Sequence, residues 1–209
     1  MRWRSNLTAK VLAFLLMAGV LLMILLGWSA FEISKRVLIR QAESENSRLA
    51  DSFSSYLGLY QGEIEDIATN LAGNPAIGEA LVQADSKSSS TFNALETRAQ
   101  MGYMLNNYVR VKGLDSIHLF SVGGAHFQAG QTLDFSKVQK DLADTLLHEA
   151  LSARLPILWR GIDTNLNLNS SRPKAISVVR TIHHFSPSTG KSEVVGVLAI
   201  NLNDEIMRN

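Results

Sequence analysis

Residues 175–185, AISVVRTIHHF, and residues 194–202, VVGVLAINL, stand on either side of the connection Ser186-Pro187-Ser188-Thr189-Gly190. The first segment is rich in β-branched side chains, and the second is almost continuously apolar, as a strand buried on both faces must be. A short connection built from Ser, Pro and Gly is a turn, so the two segments predict adjacent antiparallel strands.

Toward the N-terminus, Asn165–Pro173 is a polar loop without period, and Pro156–Ile162, which contains Trp159, is a third strand of this group. Phe135, Val138, Leu142, Leu146 and Ala150 recur at helical spacing and predict a helix over 135–153. Before it, Ser116–Val122 places Ile117, Leu119 and Phe120 around His118. Gly123-Gly124 supplies the positive-φ residues of a tight hairpin turn, and His126–Ala129 is the returning strand. Phe92, Leu95, Ala99, Met101, Met104, Leu105, Tyr108 and Val111 mark an amphipathic helix over 91–111, ended by Lys112-Gly113. Asp85–Ser90 is a polar loop, and Ala76–Ala84 is a short helix begun by Asn74-Pro75. This order predicts an α+β fold, with helices packed on one antiparallel sheet of about five strands. Asp204–Asn209 reads as the start of a further helix.

Ahead of these elements lies a long helical region. Leu49, Phe53, Tyr56, Tyr60, Ile64, Ile67 and Leu71 recur every three or four residues and form one stripe. Residues Arg36–Ser47 lack that stripe, which predicts a break or a weakly packed stalk there. Val11–Phe31 contains no charged residue, and its 21 residues make a helix of about 31 Å, the thickness of a bilayer's hydrocarbon core. Trp28 sits at its outer end, where an amphipathic ring suits the headgroup region. A cleaved signal peptide is the competing reading, with Arg2, Arg4 and Lys10 as its basic region. The apolar run exceeds the usual h-region and the helical pattern continues past it, so an uncleaved anchor is favoured. The expected organisation is a cytoplasmic tail (1–10), a transmembrane helix (11–31), a stalk helix (32–74), a folded domain (75–203) and a truncated helix (204–209).

Lys35, Arg36 and Arg40 after the span nearly balance the positive charges before it, so charge alone leaves the orientation even. A short tail inside and a large translocated domain outside is the favoured arrangement. The chain has a formal net charge of +1, which gives no reason to expect a nucleic-acid partner. It contains no cysteine, which excludes thiol catalysis, disulfides and cysteine-ligated zinc.

A span, a long helix, the strand pair SIHLFSVGG, then WRGID, a polar loop, AISVVRTI and VVGVLAINLN resemble, in that order, the extracytoplasmic Cache sensor domains of bacterial receptors. The resemblance covers nearly the whole chain. It implies a PAS-like fold on an N-terminal signalling helix, as in sensor histidine kinases, diguanylate cyclases and chemoreceptors. It also implies a bacterial inner-membrane location with a periplasmic or extracellular sensor, and an output domain beyond residue 209. Many relatives carry an acidic residue where this chain has Asn201, and Trp159-Arg160 only partly matches the pattern of the amino-acid-sensing subgroup. An amino-acid ligand is therefore not implied.

In a PAS-like sheet, small ligands are held on the concave face by Arg forks, aromatic walls and polar groups on strands. The candidate ligand-binding residues are Trp159, Arg160, Arg180, His126, Gln128 and Asn201. Trp159 serves equally well as a core aromatic and Arg180 as a solvated cation, and Arg180 and Ser177 must face opposite sides of their strand. His118 and His126 flank the Gly-Gly turn and can approach across it, whereas the adjacent His183 and His184 point apart. No carboxylate stands at metal-site spacing beside them, so neither a metal nor a cofactor is expected. No serine lies in a Gly-x-Ser-x-Gly turn, so no enzyme is expected. The expected function is small-molecule sensing and signal transduction through a homodimer paired along the long helix. The alternative is a single-span scaffold that binds a protein partner and no small ligand.

Overall fold

The computed structural model describes residues 7–86, 91–130, 138–153, 155–168, 170, 172–186 and 190–203. Parts of the expected tail (1–6), the first polar loop (87–90), the helix start (135–137), the final turn (187–189) and the terminal helix (204–209) lie outside them. The chain divides into two compact units, residues 1–60 and 61–209.

Helix α1 spans Leu7–Ala72, 66 residues without interruption. Of the two expectations for Arg36–Ser47, a break or a weakly packed stalk, the second holds: the segment is helical and exposed throughout. That segment has no Gly or Pro, and pairs four residues apart support it: Arg36 Nε to Glu32 Oε1 at 3.2 Å and Gln41 Nε2 to Glu45 Oε1 at 3.1 Å. In the first unit, the apolar residues from Val11 to Phe31 are exposed around the whole helix. Among the described residues this is the one helix long and apolar enough to cross a membrane. Leu49, Phe53 and Tyr56 are also exposed there.

In the second unit, the last turns of α1 bury Ile64, Ile67 and Leu71. Helix α2 (Pro75–Asp85) starts where Asn74 Oδ1 accepts from the Ala76 N–H at 3.0 Å, with Pro75 in the first turn. Helix α3 (Thr91–Asn106) is shorter than predicted, with turns leading to Gly113 at φ 85°. It buries Met101 and Leu105 but leaves Phe92 and Leu95 exposed, so its expected stripe is only half used. Helix α4 (Lys140–Ser152) also starts later than predicted. Val138 instead bridges Asn167, and the Gln139 N–H donates to the Leu166 carbonyl.

Strands β1 (Leu114–Ser121), β2 (His126–Gly130), β3 (Leu158–Thr164), β4 (Lys174–Ser186) and β5 (Lys191–Leu202) form one antiparallel sheet in the order β2-β1-β5-β4-β3. The strand pair at 175–202 is thus the β4–β5 hairpin, and β5 lies at the centre. In the β1–β2 turn only Gly124 has positive φ, at 97°. Gly123 is needed for space instead: Asp85 accepts from its N–H, and a Cβ there would meet that carboxylate.

Candidate functional site

Partners across an antiparallel ladder point to the same side, so register sorts the sheet into two faces. Ser116, Asn201, Ser177 and Arg160 form one transverse row. Gln128, His118, Ala199, Val179 and Leu158 form the next, followed by His126, Phe120, Val197 and Thr181. This face lies under α4, where Phe120, Val179, Val197 and Ala199 share a core with Ala143, Leu146, Ala150 and Leu166. The opposite face carries the row Trp159, Val178, Ile200 and Ile117, and the row Arg180, Leu198 and Leu119. It meets α1, because Trp159 Nε1 donates to Glu65 Oε1 at 2.8 Å and Arg180 Nη1 to Thr69 Oγ1 at 2.8 Å.

The six candidate residues therefore separate. Arg160, His126, Gln128 and Asn201 share the α4 face, whereas Trp159 and Arg180 serve the packing of α1. The Gln61 and Trp159 hydrogen bonds hold the Glu65 carboxyl below its ordinary value, with burial opposing them.

The polar residues of this face join, with Asp115, Asn165 and Ser170, into one hydrogen-bonded chain. His126 Nε2 lies 3.2 Å from His118 Nδ1, and His118 Nε2 lies 2.9 Å from Ser116 Oγ. Asn201 Nδ2 donates to Ser116 Oγ and to Asn165 Oδ1, both at 3.2 Å, and Asn201 Oδ1 accepts from Ser177 Oγ at 2.9 Å. Asn165 Nδ2 donates to Asp115 Oδ2 at 3.0 Å, which also accepts from Ser170 Oγ at 3.3 Å. Arg160 closes the other end of the row, with Nη2 2.7 Å from Asp163 Oδ2 and Nε 3.5 Å from Glu149 Oε2 on α4.

Burial, followed by the neighbouring His126 ring, pushes His118 from 6.5 down to about 3. Burial, followed by the charge of Arg98, pushes His126 down to about 4. Both rings are therefore neutral at pH 7. A neutral imidazole has one N–H, so His118 donates to one neighbour and accepts from the other. Ser116 and His118 stand at nucleophile-to-base distance, yet both are buried, and the second ring nitrogen faces an imidazole rather than a carboxylate. Among the described residues no three His, Asp or Glu side chains converge as metal ligands.

Asp115, Ser116, Asn165 and Ser170 are missing from the sequence-derived candidates. The one local signal is the i, i+2 spacing of Ser116 and His118 within LDSIHLFS; that Ser177 and Asn201 join them follows only from the strand register. Asn201→Ala is expected to cost about 2 kcal/mol, because Ser177 Oγ and Asn165 Oδ1 each lose a buried partner. A thermal melt should fall by roughly 4–8 °C; an unchanged midpoint would show that the network carries no stability.

No protein-family model matches the chain, and no curated protein matches it in sequence. Solved structures do. The ligand-binding domain of the Campylobacter jejuni chemoreceptor Tlp3, crystallised with 4-methylisoleucine, superposes with a TM-score of 0.52 at 14% identity, covering 74% of this chain and 56% of that one. The sensory domain of the same receptor in a second structure gives a TM-score of 0.39 at 18% identity, over 71% of this chain and 64% of that one. The chain thus spans a little over half the length of the first of these domains. Its long N-terminal helix and five-stranded antiparallel sheet share the fold of that Tlp3 domain.

Proposed function

We propose that this chain is the membrane-anchored sensor portion of a bacterial receptor, binding a small polar molecule on the α4 face of its sheet. The observation that carries the reading is the row of buried polar side chains, Ser116, Asn201 and Ser177 with His118 and Gln128 beside them, beneath α4 on the face opposite α1. Burying so many polar groups carries a desolvation cost that apolar residues of the same volume would avoid, which supports a functional role for the row. The similar Tlp3 domain holds 4-methylisoleucine in its crystal structure, which supports a small organic ligand here. In this reading Arg160, His126, Gln128 and Asn201 serve the ligand site, and Trp159 and Arg180 do not.

Residues 11–31 anchor the chain in the inner membrane, and the folded domain faces the periplasm or exterior. Two copies pair along α1, where Leu49, Phe53 and Tyr56 offer an apolar stripe. Ligand binding favours one of two packings of those helices and so reaches a cytoplasmic output domain. The chain itself performs no catalysis.

The test is a thermal-shift screen of the full chain in detergent micelles against amino acids, carboxylates, amines and nucleobases. A true ligand at a hundredfold excess over its Kd stabilises by about 2.7 kcal/mol, a rise of roughly 5–10 °C. The shift should vanish in His126→Ala. A silent screen together with a stoichiometric copurifying protein would replace this reading with the scaffold alternative.

A further inference from the structure

Trp159 and Arg160 are consecutive in β3, and the register sends them to opposite faces of the sheet. Arg160 reaches Glu149 of α4 and Asp163, on the face of the polar row. Trp159 reaches Glu65 of α1 on the other. β3 is an edge strand, hydrogen-bonded to β4 alone, and its register slips between Arg160 and Ile162. A bulged edge strand has fewer ladder bonds to break than any central strand, so it is displaced at the least cost.

The α1 side of the contact is built to register such a displacement. Glu65 Oε1 accepts from Trp159 Nε1 at 2.8 Å and from Gln61 Nε2, one turn earlier in the same helix, at 2.9 Å. One carboxylate oxygen thus serves the sheet and the helix together. One turn later, Thr69 Oγ1 takes Arg180 Nη1 from β4 and donates to the Glu65 carbonyl at 2.7 Å. Two successive turns of α1 are therefore tied to the two outermost strands on this side of the sheet.

We infer that β3 is a two-faced lever: a change in the Arg160 contacts on the α4 face moves Trp159 and is delivered to α1 through Glu65. The inference rests on the proposed function only in taking the α4 face as the ligand face. The lever itself is a property of the unliganded fold. Arg160 and Glu149 are its input, Trp159 its pivot and Glu65 its output.

The experiment is hydrogen–deuterium exchange of the full chain in micelles, without ligand. Trp159→Phe, which keeps the ring and removes the donor, should raise exchange over residues 61–72 about fivefold. Glu149→Gln, on α4 across the sheet from α1, should raise exchange in the same peptide while leaving α2 (75–85) unchanged. The double variant should exchange no faster over 61–72 than Trp159→Phe alone, because both changes act through one bond. Arg160→Gln supplies an independent input variant should Glu149→Gln fold poorly. The lever is refuted if the input variants change exchange only within 140–164, if α1 and α2 loosen together, or if the double variant is fully additive. A silent ligand screen leaves these readouts unaffected, so the lever and the sensor reading fail separately.

Discussion

Gly196→Ala is expected to destabilise the folded domain by about 3 kcal/mol or more, from one added methyl group. Gly196 lies in β5, the central strand, paired with Ser121 of β1 and Ile182 of β4. A Cβ there would clash with the Phe120 carbonyl oxygen and stand 2.9 Å from Leu81 Cδ1 of α2. The leucine tip can rotate away, but the carbonyl belongs to the neighbouring strand and moves only if β1 and β5 separate. The strand pair is held at that point by the Val122 N–H donating to the Val195 carbonyl at 3.1 Å. Thermal melts followed by circular dichroism should fall by roughly 6–12 °C. Adding Leu81→Ala should recover little, since the backbone contact remains. A Gly196→Ala protein melting within 2 °C of the parent would show that the two strands have room to spare.

Strand positions are legible in residues 175–202 because period and turn chemistry are local properties. Gly196 shows the limit: within VVGVLAINL it reads as a weak spot in a strand, and only the approach of α2 and of Phe120 explains it. The pair His118 and His126 is legible for a similar local reason, since a two-glycine turn brings its flanks together. The rest of the polar network is not. Ser116, Asn165 and Ser177 are ordinary polar residues taken singly, and only the β1–β5–β4 register puts three of its members in one row.

The candidate site is half legible for a geometric reason. Adjacent residues of a strand must face opposite sides, so Trp159 and Arg160 cannot both line one pocket. Alternation parts Trp159 from Arg160, but only the register across β1–β5 sorts the remaining candidates, and neither says which set faces α1. That follows from where Glu65 and Thr69 fall, and their contacts span 94 and 111 residues of sequence. The unbroken α1 over Arg36–Ser47 has the opposite cause. Hydrophobic period reports burial, and an exposed helix held by i, i+4 pairs shows no period to read.

Acidification from pH 7.5 to pH 5 is expected to remove about 4 kcal/mol of stability, a large share of the roughly 5–15 kcal/mol that holds a typical domain folded. His118 and His126 titrate near 6.5 in the unfolded chain but at about 3 and about 4 in the fold. Below pH 6.5 the unfolded chain takes up protons that the fold refuses, so stability is full above that value and declines as pH falls toward 4. At pH 5 each ring contributes about 2 kcal/mol of the loss. Charging either ring also breaks the neutral chain, because an imidazolium at His118 has two N–H donors and forces His126 to accept. Carboxyl groups of model peptides titrate below this window, so a loss between pH 6.5 and 5 is characteristic of histidines buried neutral. The measurement is the thermal midpoint of the full chain at half-unit steps of pH, in micelles of a non-ionic detergent. His126→Gln keeps a hydrogen-bonding side chain beside His118 and removes one titrating ring, so the pH slope should be roughly halved even if the midpoint at pH 7.5 drops. A midpoint flat between pH 7 and 5, or a His126→Gln slope equal to the parent's, would mean that the pair accepts a proton in place and is not buried as a neutral unit.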